Sequence, residues 1–209
     1  MYRWQMMERI ARDRLVAVIR AASPEQASQT AEALAAGGIG ILEVTMTVPG
    51  ALDCMRDLAT EAAGSERIIG VGTVLDAETA RLAIVAGAQF VVSPTLSREV
   101  IECCHRYGVP AIAGAYTPTE VMTALCWGAD LVKVFPADTL GPAYFKALRA
   151  ALPQAALMPT GGVSEANARA WLEAGAVALG LGGSLTSGTA AEITARAARL
   201  RETTSHPLS

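Results

Sequence analysis

The chain has 209 residues, 52% of them hydrophobic and 18% charged, with a formal net charge of −3. That length and apolar fraction are enough for one sizeable globular domain over residues 1–209, and no basic run offers a footprint for nucleic acid. No stretch reaches the ~18 uncharged apolar residues of a membrane span, and the first fifteen residues lack the apolar core of a signal peptide.

In chain order, the segment before Leu15 reads as an extra helix. Short apolar, β-branched runs then alternate with Ala-rich helical segments along the whole length. The strand candidates cover 15–20, 40–46, 68–74, 90–94, 111–116, 131–136, 156–160 and 176–181. Helix starts are marked by Ser23-Pro24-Glu25, Thr117-Pro118-Thr119-Glu120 and Ser164-Glu165, each an N-cap followed by a first-turn acid or proline. Helix ends are marked by glycines before the next strand, as at Gly87 and Gly128, where a left-handed C-terminal cap fits. Eight βα units of roughly 23 residues predict an α/β (β/α)8 TIM barrel, with the N-terminal helix closing its bottom. An open doubly wound sheet is disfavoured because no GxGxxG follows the first strand. Residues 203–209 read as a frayed tail. Cys54, Cys103, Cys104 and Cys126 lack CxxC spacing and read as reduced small hydrophobes, consistent with a cytoplasmic protein.

A barrel of this kind collects its chemistry where strands end, on the C-terminal face. The polar residues there are Arg20, Glu43, Thr45, Thr73, Ser93, Lys133, Thr160 and Ser184. Lys133 is the most informative. It is one of only two lysines beside fifteen arginines, and it lies inside the apolar run Leu131-Val132-Lys133-Val134-Phe135. An ammonium in such a run is costly to desolvate, which favours the neutral, nucleophilic amine that Schiff-base chemistry needs. The alternative is a lysine whose stem packs on the strand while its head reaches water. Period-2 alternation puts Ile41, Glu43 and Thr45 on one strand face and Leu131, Lys133 and Phe135 on another. If both faces point inward, a carboxylate and an amine converge, as a structural ion pair or as a catalytic one.

Strands 7 and 8 end in Thr160-Gly161-Gly162 and Gly182-Gly183-Ser184. Bare N–H groups there could cradle a phosphate, or the glycines could serve only tight turns. His105 and His206 read as solvated, while Trp127, Trp171 and Met122 read as helix–barrel packing. No metal-ligand spacing appears, so a metal-free mechanism without cofactor is expected.

Six strand ends together resemble a known family. Glu43-Val44-Thr45, Gly70-Val71-Gly72-Thr73, Ser93-Pro94, Val132-Lys133-Val134-Phe135-Pro136-Ala137, Pro159-Thr160-Gly161-Gly162 and Gly182-Gly183-Ser184 look like the 2-dehydro-3-deoxy-phosphogluconate / 4-hydroxy-2-oxoglutarate aldolases. The resemblance runs from about Leu15 to Leu200. It implies a class I aldolase that releases pyruvate from a 2-keto-4-hydroxy acid, usually as a cytoplasmic homotrimer. Lys133 would form the Schiff base and Glu43 would shuttle protons. Thr73 would contact the pyruvyl carboxylate and Thr160 would position the substrate. Gly161, Gly162, Gly183 and Ser184 would hold a phosphate, and Pro94 and Phe135 would wall the reacting carbons. One departure stands out. Well-known members carry an arginine two residues after Glu-Val-Thr that binds the carboxylate, where this chain has Thr47. Arginine appears instead at the end of strand 1, as it does in the 2-dehydro-3-deoxy-6-phosphogalactonate aldolases, so Arg20 is expected to reach that carboxylate. A phosphate-binding barrel synthase or epimerase would share the cradle but would not need Lys133, and a non-catalytic barrel would need neither Lys133 nor Glu43.

Overall fold

The computed structural model describes residues 2–205. Eight strands lie in the order β7-β6-β5-β4-β3-β2-β1-β8, every pair parallel. They are β1 (Leu15–Ile19), β2 (Ile41–Thr45), β3 (Ile68–Gly72), β4 (Val91–Val92), β5 (Ala111–Ala115), β6 (Leu131–Val134), β7 (Leu157–Pro159) and β8 (Leu179–Leu181). A bridge between Thr160 and Gly180 joins β7 to β8 and closes the barrel. Helices occupy the connections, as parallel pairing requires. The helices are α1 (Arg3–Asp13), α2 (Pro24–Ala36), α3 (Ala51–Glu61), α4 (Ala77–Val85), α5 (Arg98–Arg106), α6 (Pro118–Cys126), α7 (Gly141–Ala151), α8 (Ala168–Glu173), α9 (Gly183–Thr186) and α10 (Ala190–Ser205).

The regular strands are shorter than the apolar runs, although single backbone bonds such as Phe135 N–H to Ala115 O at 3.0 Å continue past their ends. At β4 the chain turns away where Ser93 Oγ accepts the Thr95 N–H at 3.2 Å and Pro94 offers no donor. Ser23 and Thr117 cap α2 and α6 through the Gln26 and Glu120 N–H groups, as their sequences predict. The start at Ser164 is displaced, because α8 begins only at Ala168. Asn167 takes the Ser164 N–H at 2.8 Å and donates to the Gly162 carbonyl at 2.9 Å, which ties this turn to the strand 7 loop. Residues 203–205 belong to α10 rather than to a frayed tail; residues 206–209, His206 among them, lie outside the described residues.

The alternation of side chains divides the core in two. Val16, Ile41, Ile68, Phe90, Val92, Ile112, Leu131 and Met158 fill the barrel, and Met6 and Ile10 of α1 join them from below. The opposite faces, among them Ala17, Leu42, Val71 and Val132, pack under the helices. Trp171 belongs to that outer layer, edge-on to Phe145 with ring centroids 5.6 Å apart. Trp127 packs against the same layer from a partly buried position. Met122 does not pack as expected; it is 37% exposed on the outer side of α6. His105 is not simply solvated either, since its Nε2 lies 3.2 Å from Asp130 Oδ2.

The plug helix is held by a charge cluster at the barrel bottom. Asp13 meets Arg9 Nε at 2.6 Å, Arg12 Nε at 3.1 Å and Arg201 Nη2 of α10 at 3.8 Å. Burial pushes the Asp13 carboxyl up, but hydrogen bonds from Arg9 and Arg12 outweigh it and hold the group below its ordinary value. A carboxyl depressed on folding adds stability above its unfolded pKa of about 3.9, and that stability is lost as pH falls through the lower folded value. Asp13→Asn should therefore lower unfolding free energy at pH 7 by about 1–2 kcal/mol, an amount moderated by the solvent-facing arginines. Denaturant titrations at pH 7 and pH 3 check this, and an equal penalty at both would contradict it.

Candidate active site

Inward-facing positions change character toward the C-terminal end of the barrel. Below lie the register partners Ile41 and Ile68, and Ile112 and Leu131; two residues on along the same strands stand Glu43 and Gly70, and Gly114 and Lys133. β2 and β6 sit far apart in the sheet order, so alternation alone sends Glu43 and Lys133 toward each other across the lumen. The structure brings them together. Lys133 Nζ lies 3.7 Å from Glu43 Oε1, with the side chains 2% and 0% exposed. The amine does not snorkel into water.

The contact is loose for a buried pair. Neither Glu43 oxygen has a hydrogen-bond partner among the described residues, and neither does the Thr160 hydroxyl, which is also buried. Such orphaned groups are rare in folded interiors and are costly, so a cluster of them marks a place shaped for something other than stability. Lys133 Nζ also stands 5.4 Å from the centroid of the Phe135 ring, which forms a wall beside the amine. Glycines make room for these groups. A Cβ at Gly180 would overlap Thr160 Oγ1, and one at Gly114 would overlap the Pro94 carbonyl.

Thr73 follows β3 with φ of 61°, a left-handed conformation that a β-branched residue adopts only under constraint. Its neighbours supply that constraint: Met46 N–H bonds Gly72 O at 2.8 Å and Val74 N–H bonds Val92 O at 3.2 Å. Thr73 and Thr47 border one recess, and Thr47 Oγ1 lies 2.7 Å from the buried Thr45 hydroxyl.

Arg20 does not border that recess. It is exposed just beyond β1 and lines a cavity of about 270 Å³ with Phe135, Thr160, Gly161, Gly162, Gly183 and Ser184. It also lines an adjoining cleft of about 510 Å³ that runs past Gly183 toward the start of α10. No ion pair between Arg20 and Glu43 forms among the described residues. Arg20 thus lines the cavity that Phe135 and Thr160 share with the glycine turns, and not the recess beside Thr73. The Ser184 hydroxyl donates to the Val163 carbonyl at 2.6 Å, so it braces one turn against the other.

The sequence picks out Lys133, Glu43, Phe135, Thr160 and the glycine turns as one group, and the structure assembles them. It does not pick out Gly72 and Gly180 as places where another strand's side chain must fit, or Gly114 as the place where the Pro94 backbone must pass. Only their position at inward-facing registers could have shown it.

A family profile described as "Aldolase: KDPG and KHG aldolase" matches residues 6–198. The 2-dehydro-3-deoxy-6-phosphogalactonate aldolase of Escherichia coli K12 is 35% identical over 186 residues, which is 88% of this chain and 90% of that protein. The 2-dehydro-3-deoxy-phosphogluconate aldolase of Treponema pallidum is 38% identical over 159 residues, 76% of this chain and 75% of that one. Among solved structures, the KDPG aldolase of Legionella pneumophila "with pyruvate captured at low pH as a covalent carbinolamine intermediate" superposes with a TM-score of 0.80 at 30% identity, covering 94% of each chain. The profile spans most of the barrel and all of its strand-end motifs, and the chain belongs to the KDPG and KHG aldolase family.

Proposed function

We propose that the chain is a class I aldolase in which Lys133 is the Schiff-base nucleophile and Glu43 the proton carrier. The buried, loosely held Lys133–Glu43 pair at the barrel mouth is the observation that carries this reading. The Lys133 amine adds to the C2 ketone of a 2-keto-4-hydroxy acid and loses water to form a protonated imine. That cation accepts the electron pair of the breaking C3–C4 bond while the C4 hydroxyl gives its proton to Glu43. The aldehyde leaves, Glu43 returns the proton to C3, and water releases pyruvate from the lysine. Thr73 contacts the pyruvyl carboxylate, Thr160 offers its unpartnered hydroxyl to the substrate chain, and Pro94 and Phe135 wall the reacting carbons.

The proposed substrate is 2-dehydro-3-deoxy-6-phosphogluconate, cleaved to pyruvate and glyceraldehyde 3-phosphate, with 4-hydroxy-2-oxoglutarate, giving pyruvate and glyoxylate, as the short alternative. The 6-phosphogalactonate epimer is the second reading, favoured by the Escherichia coli relative and by arginine at the end of strand 1. In each phosphorylated case the phosphate takes the N–H groups of Gly161, Gly162, Gly183 and Ser184, and Arg20 adds a guanidinium to it. Remote binding energy of this kind can position the reacting carbons. The proposed setting is one barrel domain, cytoplasmic and homotrimeric. Leu75, Leu82, Val85 and Tyr107 are each more than 40% exposed on or beside α4, an apolar patch suited to a second copy.

Two measurements test these assignments. Arg20→Ala should lower kcat/KM for phosphorylated substrates on the order of 10- to 100-fold, as the loss of a charge-assisted hydrogen bond does, and barely change that for 4-hydroxy-2-oxoglutarate. Equal losses on both would return Arg20 to the carboxylate, and equal wild-type efficiency on both would remove the phosphate from the reading. Light scattering should give about three times the 21.7 kDa chain mass; a monomer at micromolar concentration would rule the trimer out.

A further inference from the structure

The carboxylate of Glu43 has no hydrogen bond to fix it, yet a proton carrier must be held within a fraction of an ångström of its task. Packing has to supply what hydrogen bonding does not. Glu43 pairs with Gly70 in the β2–β3 register, but its side chain leans toward the mouth and lies over Gly72, the last residue of β3. A Cβ built on Gly72 would overlap Glu43 Oε1 and would fall 2.5 Å from Cδ and 2.7 Å from Cγ. The carboxylate thus occupies the space that any side chain at position 72 would fill.

We propose that Gly72 is a positioning residue for this reaction, its missing side chain forming the seat that aims the Glu43 carboxylate at Lys133 and the substrate. The inference deepens the aldolase reading and rests on it. Backbone recoil cannot relieve a substitution cheaply. Gly72 O is tied to Met46 N–H at 2.8 Å, and Thr73 is already held at φ of 61° on the other side. With the strand fixed, an added methyl group has to push the glutamate side chain, whose torsions are soft, off its line to Lys133. The lysine itself is untouched, because β6 and β3 share no register. Gly72→Ala should therefore spare imine formation and damage proton transfer, which separates this role from a general loss of packing.

The test is exchange of the pyruvate methyl protons with deuterated solvent, followed by NMR. It reports proton transfer at C3 without any aldehyde partner. Gly72→Ala should slow this exchange about 100-fold, while borohydride still traps pyruvate on the protein to the wild-type extent. Glu43→Ala removes every side-chain atom that the methyl group would meet, so in that background adding Gly72→Ala should change the residual exchange by less than about threefold. The double variant also has space to fold if Gly72→Ala alone does not. In a Glu43→Gln background, Gly72→Ala should leave the residual exchange unchanged. Wild-type exchange in Gly72→Ala, or the same loss in all three backgrounds, would overturn the positioning role while leaving the aldolase reading intact. A wild-type protein that neither exchanges nor traps pyruvate would defeat both.

Discussion

Taking an ammonium and a carboxylate out of water costs several kcal/mol per ion, and good geometry with additional hydrogen bonds is the usual compensation. The Lys133–Glu43 pair has neither a short contact nor a hydrogen bond on either carboxylate oxygen. The surrounding structure has to hold it in place. Barrel closure puts β2 and β6 opposite each other, apolar layers fill the lumen beneath, α1 seals the bottom, and inward glycines at the mouth leave the width that two long charged side chains need. A buried pair held this loosely adds little to stability, which is the pattern that the proposed catalytic reading expects.

The barrel separates its duties by height. Near the strand N-termini the interior is aliphatic and aromatic, with Phe90 lying where a Cβ on Gly70 would sit. Near the C-termini the same packing rule is met by polar side chains lying over glycine: Glu43 over Gly72 and Thr160 over Gly180. The glycine turns after β7 and β8 stand beside that layer and share a cavity with Phe135 and Arg20. A substrate anchored there would have its distal end in the open cleft and its ketone toward the buried amine. The division of charge follows. In the proposed reading Arg20 would serve the outer end, and the recess bordered by Thr73 and Thr47 would offer hydroxyl and backbone donors to the inner one.

Much of this is legible in the residues. Lys133 stands out because the chain makes nearly all its cations from arginine and then keeps a lysine in a strand. Glu43 follows from alternation, and the helix starts at Ser23 and Thr117 follow from cap chemistry that acts within four residues. The features that local pattern does not carry share a cause: each depends on a partner far away in the chain or on competing local bonds. Asn167 captures the Ser164 N–H and delays α8. Asp130, twenty-five residues on, takes His105 out of simple solvation. Ser184 is committed to Val163 of the preceding βα turn, and Arg20 turns toward the cradle rather than the recess. Met122 has the composition of a packing residue but sits on the wrong side of α6. Local periodicity carries no information about such long-range choices.

The proposed chemistry depends above all on a covalent imine at Lys133. Incubating the protein with pyruvate and borohydride, then locating the adduct by peptide mass, tests it most directly. One pyruvyl adduct per chain is expected, on the peptide containing Lys133, and none in Lys133→Ala. An adduct on Lys146, or retro-aldol turnover undiminished in Lys133→Ala, would contradict it.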